Sequence, residues 1–174
     1  DVYKRQPLIR AAAMVATEEA DAMVAGADSP TKRVIEAASL AIGLKDDVNV
    51  PSSFFLMLFP DGREFIFADC AVNIAPTASA LSSIAKSSAT SAHALLGAAE
   101  VAMLSFSTGT SGAGESVCLV REASELCGFV GPIQADAALN PVIAAKKGLG
   151  KGSANVLIFP DLDAGNIAYK LCQE

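Results

Sequence analysis

The sequence predicts an α/β domain, with a mainly parallel β-sheet flanked by helices and carrying one antiparallel hairpin. Short apolar runs alternate along the chain with longer stretches whose apolar residues recur at helical spacing, the pattern of strands joined by crossover helices. Two of the runs, SFFLMLF and EFIFAD, flank Pro60-Asp61-Gly62-Arg63, a turn sequence that joins antiparallel strands. Of the 174 residues, 52% are hydrophobic, enough to build a core and too many for a disordered chain.

Each element follows from its own pattern. PLIRAAAMVATEEA, from Pro7, reads as a helix, and DAMVAGA after it as a short strand. In TKRVIEAASLAIGL, Val34, Ile35, Ala38 and Ala41 share one helical face. The two hairpin runs are so nearly free of polar residues that burial on both faces is expected. Pro76 suits a first helical turn, and Leu81, Ile84, Ala85, Ser88, Ala92 and Leu95 carry that helix to about Leu96. EVAMLSF is a strand, and Glu115 to Leu126 a helix with Val117, Val120 and Ala123 inward. ADAALNPVIAAKK is helical, kinked or split by Pro141. KKGLGKGS is an exposed loop, ANVLIFP the last strand, and a final helix begins near Leu162.

Composition removes several functions. The net charge is −6 with scattered basic residues, which argues against a nucleic-acid partner. No apolar run approaches the roughly 18 residues of a membrane span, and no secretory signal is visible. Cys70, Cys118, Cys127 and Cys172 lack metal-type spacing and each sits among apolar residues, so buried free thiols are expected. A Ser-His-Asp triad would need His93, the one histidine, which lies in a serine- and alanine-rich helix.

In an open α/β sheet, ligands gather where strands end and helices begin. Three loops there are rich in small or polar residues: ADCAVN (68–73), SFSTGTSGAG (105–114) and FPDLDAGN (159–166). In the second, Gly109, Gly112 and Gly114 allow close backbone approach, and Ser105, Ser107, Thr108, Thr110 and Ser111 supply hydroxyls. The spacing from Gly109 imitates a P-loop, but Glu115 stands where lysine belongs and would repel phosphates, while suiting the start of a helix. Asp69 and Asn73 either face a ligand or close an Asx-turn. FPDLDAGN also has two readings: Asp161 or Asn166 faces a ligand, or the segment is structural, with Asp163 capping the last helix and Gly165 serving packing. Arg33 is either a ligand-binding cation early in its helix or a solvated surface residue.

AMLSFSTGTSGAG, FIFADCAVNIAPTA, ANVLIFPDLDAGNIAYK and DAMVAGADSPTKRVIEAA resemble the phosphate acetyltransferase (phosphotransacetylase) family, which includes phosphate butyryltransferases. The resemblance runs from about Pro7 to Glu174. It implies a two-domain, isocitrate-dehydrogenase-like enzyme, here incomplete, that is cytoplasmic and usually a homodimer. Such an enzyme moves an acetyl group between acetyl phosphate and coenzyme A, a substrate, without metal or redox cofactor. Residues 7–44 would be a remnant of the first domain, and 45–174 the second domain, truncated at its C-terminal end. Residues 1–6, DVYKRQ, translate a transposon end used in sequencing libraries and are expected to be an artefact. Arg33 would contact coenzyme A phosphates. Ser105, Ser107, Thr108, Gly109, Thr110 and Ser111 would line the cleft, joined by Asn73, Asp161 and Asn166 as substrate-binding residues.

Two departures from the family pattern stand out. Only GFV separates the helix ending near Cys127 from GPIQADAA, where the family has a longer stretch with a buried strand, so loss of that strand is expected. The family's catalytic Ser-Arg-Gly segment and following aspartate would lie beyond the helix begun by IAYKLCQE, so no catalytic residue is assigned. Two alternatives remain: butyryl or other acyl transfer, and the regulatory phosphotransacetylase-like domain of a malic enzyme.

Overall fold

The computed structural model describes residues 2–44, 46, 48 and 50–174, and divides the chain into two units, Asp1–Asn49 and Val50–Glu174. Residues 1, 45, 47 and 49 lie outside the described residues, and with them the start of the expected 1–6 segment and the first residue of the expected second domain.

In the first unit, α1 (Val2–Ala16) packs on α2 (Thr31–Ala41), burying Leu8, Ala12 and Ala37. The centre of the α2 face is Ala37; its expected neighbours Val34, Ile35, Ala38 and Ala41 are half-buried around it. Helix α1 begins before Pro7 and stops four residues short of the expected end, where Glu18 turns to φ 61. The strand expected in 21–27 does not form. Val24 is fully exposed, and a strand needs a neighbour to receive its backbone hydrogen bonds, whereas the described residues of this unit form two helices and their connections.

The second unit is a five-stranded sheet in the order β1-β2-β5-β3-β4. Strands β1 (Phe55–Leu58) and β2 (Glu64–Ala68) form the expected antiparallel hairpin, and β5 (Val156–Ile158), β3 (Val101–Leu104) and β4 (Val130–Ile133) continue it in parallel. Alternation along the strands divides the core. Ile66, Ala68, Met103 and Ile158 face α3 (Ala78–Leu96) and α4 (Glu115–Cys127). Phe65, Phe67, Leu104, Leu157 and Phe159 face α5 (Ala135–Leu139), α6 (Pro141–Lys147) and α7 (Leu162–Gln173). Phe67 meets Phe65 edge-on at 6.2 Å and Phe159 at 5.4 Å between ring centres, contacts that add about 1 kcal/mol each beyond burial.

Four expectations are corrected. Strand β1 is an edge strand covered on one face: Phe55 and Met57 pack inward while Leu56 and Leu58 are exposed, because α3 packs over β2, β5 and β3. Helix α3 starts after Thr77, whose hydroxyl caps it by accepting from Ala80 N at 3.2 Å, so Pro76 lies outside. At its other end Leu96 packs on the core in place of the exposed Leu95. The short GFV junction does not remove the edge strand: Val130–Ile133 supplies it, paired with β3. Its Pro132 lacks an N–H, which an edge position tolerates. Pro141 splits the following helix, with Asn140 capping α6.

Candidate functional site

The sheet order decides where the polar turns fall. Strands β2, β5, β3 and β4 run parallel and side by side, so the turns after them leave one rim of the sheet. The three loops singled out from sequence follow β2, β5 and β3, with that of β5 between the others. Strand β1 runs the opposite way, which brings its N-terminal approach, with Pro51 and Ser53, to the same rim.

The turn after β2 is organised by Asp69, 3% exposed. One carboxylate oxygen accepts from Ala71 N at 2.9 Å, Val72 N at 3.1 Å and the Ser53 hydroxyl. The other accepts from Asn73 N at 3.2 Å and from the Asn73 side-chain amide. Burial opposes ionisation of Asp69, but these donors outweigh it and hold the carboxyl below the usual range. Asn73 gives its remaining amide proton to Pro51 O at 2.8 Å, so both side-chain protons serve the turn and only its carbonyl oxygen is left for a ligand.

The turn after β5 is fastened to this one. Asn166 Nδ2 donates to Cys70 O at 3.2 Å, and Leu162 N to Ile74 O at 3.1 Å. A Cβ on Gly165 would collide with Asp69 O, so glycine is needed for α7 to come this close. Asp161, not Asp163, caps α7, accepting from Ala164 N at 2.8 Å.

The Ser/Thr loop after β3 folds toward β4. Ser105 N donates to Ile133 O at 3.0 Å and Gly109 N to Pro132 O at 2.8 Å. The Thr108 hydroxyl donates to Gln134 Oε1 at 3.2 Å and accepts from Gln134 N at 3.1 Å. Ser105, Ser107 and Thr108 are buried, Gly109 is half-buried with φ 59, and Thr110 and Ser111 are exposed. Gly112 closes the loop where a Cβ would come 2.5 Å from Ser107 Oγ. Glu115 opens α4 and is exposed, the dipole-stabilising place expected of it.

Three residues at this rim escaped the sequence reading. Arg121 Nη2 donates to Gly109 O at 3.2 Å, and Lys147 Nζ to Gln134 Oε1 at 2.6 Å and Asp136 Oδ1 at 3.1 Å. Neither cation nor Gln134 belongs to a motif adjacent to the loop. The signal available was the Gln134-Ala135-Asp136 start of a helix after a strand.

Arg33 lies in the first unit, half-buried in the third position of α2, beside a shallow crevice lined by Leu8, Ile9, Glu36, Ala37 and Leu40. His93 is exposed in the last turn of α3, which runs from the rim back to the opposite edge of the sheet, so it cannot reach the loop serines. The expected burial of all cysteines holds for Cys70 alone. Cys127 is half-buried, and Cys118 and Cys172, on outward faces of α4 and α7, are exposed. Among the described residues no cluster of three metal-ligand side chains occurs, and no helix is long and apolar enough to cross a membrane.

Residues 2–174 match the family model for phosphate acetyl/butaryl transferase. The chain belongs to that family. It is 43% identical to the phosphate acetyltransferase of Treponema pallidum, over 97% of this chain and 56% of that protein. With its Nitrosomonas europaea counterpart it is also 43% identical, over 92% of this chain and 24% of that one. The chain thus spans from about a quarter to just over half of such relatives. A phosphotransacetylase from Streptococcus pyogenes superposes with a TM-score of 0.87 at 38% identity, covering 95% of this chain and 54% of that one. A branched-chain phosphotransacylase from Enterococcus faecalis gives 0.76 at 25% identity, with 95% and 63% covered.

Proposed function

We propose that this chain is part of a cytoplasmic, homodimeric phosphate acetyltransferase, whose sheet rim receives acetyl phosphate and coenzyme A. The observation that carries the reading is the grouping of three polar turns at one rim, in a member of this family. The higher identity to phosphotransacetylases than to the branched-chain enzyme favours acetyl over larger acyl groups.

The reaction sets the requirements. Coenzyme A must lose its thiol proton to a base, because the thiolate is the nucleophile. The sulfur then bonds to the carbonyl carbon of acetyl phosphate, the bond from that carbon to the bridging oxygen breaks, and phosphate leaves with that oxygen and the electron pair. Negative charge builds on the carbonyl oxygen and on the departing phosphate, so donors fixed beforehand lower the barrier. The Ser/Thr loop, with backbone tied down at Ser105 and Gly109, suits such fixed donors. Arg33 would hold coenzyme A phosphates. Coenzyme A is a substrate here, and no metal or redox cofactor enters the scheme.

These 174 residues contain no Ser-Arg-Gly sequence, the family segment expected to supply serine and arginine to the reacting centre. The chain alone is therefore expected to show no acyl transfer, and the whole enzyme from the same gene to form acetyl thioester from acetyl phosphate and coenzyme A. Thioester absorbance measures both. An inactive whole enzyme, or a chain active above a purified blank, contradicts the reading.

A further inference from the structure

We propose that Gln134 and Lys147 are positioning residues for the Ser/Thr loop, leaving Ser105 and Thr110 as the hydroxyls it offers to substrate oxygens. This rests on the reading that the rim binds acetyl phosphate and coenzyme A.

A count of protons carries the argument, since each hydroxyl has one to give. Ser111 gives its proton to Thr108 O at 2.8 Å. The Ser107–Ser111 contact at 3.0 Å must therefore be donated by Ser107. Thr108 donates to Gln134 Oε1. Three of the five hydroxyls are thus spent inside the loop. Ser105 Oγ accepts from Ser107 N at 3.3 Å, and its own proton has no acceptor among the described residues. The exposed Thr110 hydroxyl makes no side-chain hydrogen bond among them.

Lys147 fixes the sense of the latch. An ammonium only donates, so the Gln134 atom it meets at 2.6 Å must be the carbonyl oxygen. That same oxygen receives Thr108, so the charge on Lys147 sets the Gln134 amide, which sets the Thr108 hydroxyl, which holds the loop. Asp136 keeps Lys147 in place from its other side. Arg121 and Pro132 fix Gly109 independently, so the loop should keep its fold when Lys147 is replaced while losing accuracy near Thr108.

The test uses the whole enzyme and the 174-residue chain. In the enzyme, Lys147→Met and Gln134→Ala should lower kcat about tenfold with KM for coenzyme A within about twofold, as expected of lost orientation. Lys147→Arg should restore most of the rate, and unfolding midpoints should stay within about 2 °C. Ser105→Ala should lower kcat/KM for acetyl phosphate more than Ser107→Ala does. In the chain, Lys147→Met should speed amide exchange at Gln134. Wild-type kcat in both latch variants, or unchanged exchange at Gln134, overturns the proposal. An inactive wild-type enzyme would instead defeat the assignment of the site, with exchange still deciding the latch.

Discussion

Asp69 holds five donors on one buried carboxylate, and its replacement should be felt well beyond its own side chain. Asp69→Ala strands several of them at once and should cost about 2–3 kcal/mol at neutral pH, measured by urea unfolding. The folded carboxyl sits below its usual range, so its contribution is complete above about pH 4 and fades as pH falls through the folded value. The gap between wild type and variant should therefore narrow in acid. A constant gap down to pH 2 would show that the charge is not what matters. Cys70, next along the chain, makes the opposite case. Burial, reinforced by the Asp69 charge, pushes its thiol up to about 12, so it should resist an aromatic disulfide reagent in the native state. The exposed Cys118 and Cys172 should react first, as mass spectrometry of the labelled peptides would show.

At the scale of elements, the joint between α5 and α6 depends on local chemistry. Asn140 Oδ1 accepts from Val142 N at 2.9 Å and Ile143 N at 3.4 Å, while a Cβ on Gly152 would run into the Asn140 backbone. Asn140→Ala should cost about 1 kcal/mol, and Gly152→Ala more, through both overpacking and its φ of 71. Thermal melts of the two variants would rank them, and the reverse order would contradict this account of the joint. The sequence was most readable where chemistry was local like this: Pro60-Asp61-Gly62-Arg63 marked the hairpin and Pro141 the split helix. It was least readable where the answer depended on a distant partner. DAMVAGA has strand-like residues but no strand to pair with among the described residues of its own unit, and Leu56 looks as buried as Met57 until the reach of α3 is known. In GFVGPI, glycine and proline hid an edge strand that needs few backbone bonds. The loops of the site were legible because small and hydroxyl residues cluster there. Lys147 and Arg121 were not, since only the fold brings them to Gln134 and Gly109.

At the scale of the molecule, the parallel sheet gathers turns from separate parts of the chain, residues 69–74, 105–114, 134 and 159–166, along one rim. At the opposite edge Glu100 and Lys151 form an exposed ion pair of 2.9 Å beside a small open cavity of about 50 Å³ that Val101 and Ile133 help to line. Substrates are expected to meet the first edge and not the second. Amide NMR of the isotopically labelled 174-residue chain, titrated with millimolar coenzyme A and acetyl phosphate, separates the two. Shifts concentrated in the turns after β2, β3 and β5 are the predicted result. Shifts confined to Glu100 and residues 150–154, or none that saturate, would contradict it.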